Sequence, residues 1–237
     1  MNSQLHHYKF QSHRISKLSI EEVKNDFKSK VAWYAHFFRN YLPKDLDAPI
    51  LDIPCGHGNF LYFLKSKGYR NIIGMDIDVE RVSVARKLDL PADVGDALIR
   101  IKDFKNLAMI VSLDFLEHIE KNQAYNFLLN CRRALRQDGL LIVRVPFLDS
   151  LLGAYDLGND FTHKWAANSG VIVDLFYEAG FSHALVKDER PVPYKPLNYI
   201  RLGVFYVMMG LTQAYLLMTG LGKINVWSRS GCIIGFV

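Results

Sequence analysis

Three cysteines in 237 residues, Cys55, Cys131 and Cys232, are too few and too scattered for a disulfide scaffold or a thiolate metal cluster. An odd, dispersed set points to a reducing compartment. Repeats and low-complexity tracts are missing, and the eight prolines and sixteen glycines follow no period, which excludes disordered, collagen-like and coiled-coil classes. The opening run, MNSQLHHYKFQSHRISKL, has no apolar h-region, so no secretory signal is expected. One sign of charge is absent from a whole region: the last 48 residues contain no acid.

What remains is 50% apolar and 22% charged, enough for one domain with a substantial core. Residues 1–189 carry 24 basic and 24 acidic side chains, which cancel; Arg190, Lys195, Arg201, Lys223 and Arg229 account for the net charge of +5. Those five flank or enter the longest uncharged run, Leu202–Leu221. An even basic coat would suggest nucleic acid, whereas a greasy segment with basic flanks suggests a membrane surface.

Periodicity divides the chain into a helical cap (residues 1–47), a core (48–190), an apolar helical insertion (191–224) and a last strand of the core sheet (225–237). Ser19, with Glu22 three residues on, fits a capping box, and Trp33, Tyr34, Phe37, Phe38 and Tyr41 recur at helical spacing. From residue 48 short apolar strands alternate with helices: strands at Pro49–Ile53, Asn71–Ile77, Ala92–Val94, Leu107–Leu113 and Leu140–Val145, helices at Asn59–Lys67, Val79–Leu88, Ala97–Lys102 and Lys121–Arg136, with Asp138-Gly139 as a turn. A helix at Asn168–Ala179 and strands at Phe181–Asp188 and Ser230–Val237 follow. The alternation predicts a parallel, doubly wound sheet with ligands at the carboxyl ends of its strands.

The loop Asp52-Ile-Pro54-Cys-Gly56-His-Gly58, between first strand and helix, would bring backbone close to a ligand. Leu61 stands where a dinucleotide fingerprint needs its third glycine, and Asp52 would repel a pyrophosphate. Asp52 suits the ammonium and sulfonium side of S-adenosylmethionine instead. Asp76 could accept from two ribose hydroxyls, and Asp96 from an adenine amino group. The blocks ILDIPCGHGNFLYFLKSKGYRNIIGMDID, VGDA, LDFLEHI and LRQDGLLIVRVP together resemble class I S-adenosylmethionine-dependent methyltransferases over residues 48–147, with Pro54 in place of the first loop glycine. The resemblance implies a Rossmann-like seven-stranded sheet, S-adenosyl-L-methionine as cofactor, and Asp52, Pro54, Gly56, Gly58, Asp76, Ile77, Asp96, Ala97, Ser112 and Leu113 along it. More loosely, Asn159-Asp-Phe-Thr-His163, EAGF, PVP and MTG are similar to bacterial methyltransferases of cell-surface polysaccharide biosynthesis. That likeness implies a hydroxyl of a sugar, in a surface glycan or lipid-linked intermediate, as acceptor. An isoprenoid quinone or other small lipid is the same-fold alternative, and a cofactor-binding scaffold without catalysis is the rival class.

His163, in the loop after the fifth strand, is the preferred base for removing a hydroxyl proton, with Asp160 orienting it. Thr162 or Asp160 capping the next helix is the competing structural reading. His118 is a further catalytic candidate. Asp114, Glu117 and His118 resemble the E-x-x-E-H of ubiquinone-biosynthesis O-methyltransferases, where those positions are associated with a divalent metal; a loop-shaping role is the favoured reading, and no metal is assigned. Tyr34 and His36 could close over the cofactor, the simpler reading being core packing, while His6, His7 and His13 read as solvated.

Residues 197–223 are expected to form one or two helices between the last two strands. One membrane crossing would strand the last strand on the wrong side. The segment is therefore read as a hydrophobic cap, meeting a membrane interface or a second copy of the chain, or else as a buried insertion. The charge-balanced remainder implies a small-molecule or glycan acceptor, no nucleic acid, and a cytoplasmic location, in solution or at the inner face of the membrane.

Overall fold

The structure, a computed structural model, describes residues 19–149, 153–190, 193, 196–220, 224 and 226–237. His6, His7, His13, Lys195 and Lys223, named above, lie outside the described residues.

The described residues begin with α1 (Ile20–Phe38), entered through the expected capping box: Ser19 Oγ accepts from Glu22 N, and the Glu22 carboxylate accepts from Ser19 N at 2.7 Å. Its buried stripe, Val23, Phe27, Tyr34, Phe37 and Phe38, lies against α2 (Asn59–Ser66). The contact is aromatic, with ring centroids at 5.4 Å for Tyr34–Phe60 and 5.1 Å for Phe38–Phe60. Lys187 Nζ donates to Phe37 O at 2.6 Å and sits over the Phe37 and Tyr41 rings, tying the end of α1 to a distant strand.

The remaining elements are β1 (Ile50–Asp52), β2 (Ile72–Asp76), α3 (Val79–Lys87), β3 (Ala92–Val94), α4 (Ala97–Arg100), β4 (Leu107–Leu113), α5 (Lys121–Ala134), β5 (Leu135–Pro146), α6 (Gly153–Asn159), α7 (Ser169–Glu178), β6 (His183–Asp188), α8 (Pro196–Met218) and β7 (Ser230–Phe236). They form a seven-stranded sheet in the order β3-β2-β1-β4-β5-β7-β6, with helices on its faces. β1 is wholly buried and β4 is buried from Leu107 to Ser112. Such continuous burial is the mark of a sheet covered on both sides.

Three expectations need correction. The sheet is mixed, because β7 runs antiparallel to both β5 and β6. The chain leaves β6 and re-enters at the same rim, so its next strand has to run back. The fifth helix stops at Ala134 rather than Arg136, since Leu135 already pairs with Leu107; residues 136–139 bulge out before Leu140 pairs with Met109. Finally, the apolar segment is one unbroken helix over Pro196–Met218 with no buried residue, which rules out the buried-insertion reading.

Phe38, fully buried between α1 and α2, sets the seat of the cap. Phe38→Ala is expected to cost about 3–5 kcal/mol, read as a lowered midpoint in urea; a loss below about 1 kcal/mol would mean that the cap is not packed as described.

Candidate active site

The carboxyl ends of β1, β2, β4 and β5, closed over by α1, enclose a cavity of about 1050 Å³. At one end stand Asp52, Asp76 and Asp96, each just at or beyond the end of a successive strand. Asp76 is buried and organises the loop: its Oδ2 accepts from Gly56 N at 2.8 Å and its Oδ1 from Asp78 N at 2.9 Å. Asp96 caps α4 by accepting from Leu98 N at 2.9 Å. Asp52 is only 2% exposed, and its Oδ2 has no hydrogen-bond partner. Burial, reinforced by Asp76, pushes the Asp52 carboxyl well above the ordinary range, and burial also raises that of Asp76. A cationic group delivered to this end would relieve that penalty.

The two loop glycines serve different purposes. Gly56 has φ +55° and lines the cavity, and a Cβ there would meet nothing within 4 Å. Gly58, at φ +87°, faces away: a Cβ would stand 2.7 Å from Leu90 Cδ1 and 3.2 Å from Ala85 Cβ. Gly58 therefore permits close packing of the loop on α3 rather than approach to a ligand. Pro54, which follows a cis Ile53–Pro54 peptide bond, lines the cavity. Ile77, 58% exposed, stands in the wall with Ala97, Leu98, Leu113 and Phe115, an apolar setting for a flat ring. Ser112 is fully buried behind the wall, its Oγ without a partner.

The other end is built by the loop after β4 and the segment after α6. The His118 and His163 rings meet at a tilt, with centroids 4.7 Å apart, and His163 Nε2 lies 4.0 Å from Glu117 Oε1. Thr162, not singled out from sequence as a contact of His118, joins the groups. Its hydroxyl donates to Asp160 Oδ1 at 2.6 Å and meets His118 Nδ1 at 2.8 Å. With its proton given to Asp160, the hydroxyl accepts from His118, so Nδ1 carries the imidazole proton and Nε2 keeps a lone pair. Asp160 thus acts through Thr162 on His118, where sequence paired it with His163. Although burial pushes the Asp160 carboxyl up, these Thr162 bonds hold it below the usual range. The capping alternative fails, because Ser169 N at the start of α7 donates to Asp149, and the N-cap is Asn168.

Glu117 is 2% exposed with its Oε2 unpartnered, and burial, then Asp114, pushes its carboxyl well up. Glu117, His118 and His163 each bring a ligand atom within 4.8 Å of the others, so this trio could hold a divalent cation. Asp114, considered above for such a set, is ion-paired with Arg144 instead. Arg144 also holds Glu189 in a two-pronged contact, Nε to Oε1 at 2.5 Å and Nη2 to Oε2 at 3.0 Å, so the acceptor-side floor is an ion triad. A lone arginine inside the apolar run Leu140–Val145 was the available signal for it. Tyr34 lines the cavity and is buried, while His36 is exposed on the outer side of α1.

The fold is the Rossmann-like fold of class I S-adenosylmethionine-dependent methyltransferases. Residues 50–139 match the family model described as "Methyltransferase domain". No curated protein matches the chain. Among solved structures, the chain is similar to a SAM-dependent methyltransferase from Archaeoglobus fulgidus, at 19% identity and TM-score 0.66, covering 97% of this chain and 100% of that one. It is also similar to a SAM-dependent methyltransferase from Thermotoga maritima, at 17% identity and TM-score 0.58, covering 91% and 96%. A third likeness is to phosphoethanolamine N-methyltransferase 2 of Haemonchus contortus, crystallised with S-adenosyl-L-methionine, at 14% identity and TM-score 0.57, covering 86% and 52%. These identities establish the fold, and the cofactor of that fold class is S-adenosylmethionine.

Burial, aided by Arg81 for His57 and by His163 for His118, lowers both imidazoles from 6.5 to about 4. As pH falls the unfolded chain then takes up protons first, so both groups withdraw stability from about pH 6.5 down to about pH 4 and no further below it. His118→Asn should flatten the denaturation midpoint against pH across that window; an unchanged slope would contradict the assignment. Gly58→Ala should destabilise by about 1–3 kcal/mol through overpacking and strain, measured by urea titration.

Proposed function

We propose that the chain transfers the methyl group of S-adenosylmethionine to a hydroxyl of a sugar, in a surface glycan or its lipid-linked precursor. The observation that carries this reading is the polarity of one cavity: buried carboxylates at the cofactor end, and an imidazole pair in contact, with a fixed His118 tautomer, at the other. When bound, S-adenosylmethionine supplies an electrophilic methyl on a sulfonium. Asp52 would hold its cationic end, the free lone pairs of Asp76 would take ribose hydroxyls, and Ile77, Ala97 and Leu98 would flank the adenine with Asp96 at its edge. An imidazole of the His118–His163 pair would accept the proton that the acceptor hydroxyl loses on methylation. Proton removal by imidazole is needed for an alcohol acceptor, which favours oxygen over an amine that is already nucleophilic when neutral. The three cysteines, all buried and free, accord with a cytoplasmic setting.

Transfer of labelled methyl to a panel of sugar, nucleotide-sugar and lipid-linked acceptors tests the reading. His163→Ala should lower turnover about 10²–10⁴-fold while S-adenosylhomocysteine affinity, by calorimetry, is retained. Full turnover in that variant would remove His163 from the mechanism. Cofactor binding with no transfer to any acceptor would leave a non-catalytic binding protein.

A further inference from the structure

We propose that α8 docks this protein on an anionic lipid surface, lying in the interface plane, and that the acceptor is therefore lipid-borne; the second clause rests on the catalytic reading above, the first does not. The helix has 23 residues with a mean hydropathy of 1.4 in its most apolar window and nothing buried. Ile200, Val204, Val207, Leu211, Tyr215 and Met218 recur at intervals of three and four residues, so they form one stripe along it. Every one of the six is between 59% and 81% exposed. The opposite side, with Leu202, Phe205, Met209, Thr212, Gln213 and Leu216, is partly shielded. A continuous apolar stripe of this length in water marks an interaction surface.

The geometry excludes a crossing helix. Twenty-three residues span about 34 Å, enough for the hydrocarbon core. Ile224 N, however, donates to Gln213 Oε1 at 3.2 Å, so within six residues of Met218 the chain has doubled back along the shielded side. A crossing would bury the Ile224 backbone in hydrocarbon. An in-plane helix leaves it on the protein side.

Charge selects the occupant. From Arg190 to the end of the sequence there are five basic residues and no acid, and Arg201 lies exposed on α8 itself, so attraction favours anionic headgroups. Position then connects docking to chemistry. Both connections to α8 are fastened together at the cavity rim: Ser228 N donates to Asp188 Oδ1 at 2.9 Å, and Ser228 Oγ to Glu189 O at 2.7 Å. Glu189, Arg229 and Ser230 are themselves part of the cavity wall. A bilayer against α8 thus lies beside the acceptor end of the site.

The test is flotation of the full chain with vesicles of phosphatidylcholine alone and with phosphatidylglycerol added. Binding is expected on the anionic vesicles, weakened by salt. A Val207→Glu, Leu211→Glu double variant should lower the bound fraction about tenfold or more while keeping S-adenosylhomocysteine affinity, which reports an intact core. No flotation with either vesicle, or equal flotation of the double variant, overturns the proposal. So does a soluble dimer that the double variant dissociates, since a second copy would then cover the stripe. Anionic flotation without methyl transfer would retain the docking and remove only the catalytic reading.

Discussion

The whole arrangement depends on a sheet covered on both faces. β1 and β4 have no solvent side, so their residues are apolar on both sides of the pleat, and polar chemistry is confined to the positions where strands end. Asp52, Asp76, Asp114 and the loop that carries Glu117 and His118 all occupy such ends. Burial at the base of the cavity leaves Asp52 and Glu117 each with an oxygen that no protein group meets. Burial that would be a defect in a structural core becomes a standing demand for a ligand.

The cavity meets that demand differently at its two ends. Near the cofactor loop, Asp76 spends one oxygen on Gly56 and the other on Asp78, fixing the loop before anything binds. Near the acceptor, the Asp160–Thr162–His118 relay fixes a tautomer, and the Arg144 triad fixes the floor. Charged groups already held in place need little reorganisation when charge moves during a reaction. Catalysis at such a site rests on groups whose positions were decided by folding.

Sequence made the sheet order of elements legible because helical and strand periods alternate cleanly and because Gly68, Pro49 and Asp138-Gly139 punctuate them. It also nominated Asp52, Asp76 and Asp96, which the ends of three strands bring to one end of the cavity. The acceptor end was only half legible. His118 and His163 could be nominated singly, but their ring contact joins positions 45 residues apart, and the part of Thr162 follows from a hydroxyl contact that no spacing reveals. Arg144, Asp114 and Glu189 come from three separate elements, and only the folded sheet brings them together. The reversed direction of β7 likewise depends on where the excursion after β6 returns, a property of tertiary closure. Gly58 shows the limit from the other side: a motif glycine read as ligand-facing has its reason in Leu90 and Ala85.

The Asp188–Ser228 fastening has a consequence for how such a protein can diverge. Because the two ends of the excursion are held together at the rim, β6 and β7 keep their register whatever lies between them. The entropy of closing that excursion grows only slowly with its length. Insertions, deletions and changes of greasiness in this stretch are therefore nearly silent for the sheet. The excursion can be remade in length and surface without reopening the question of how the chain folds.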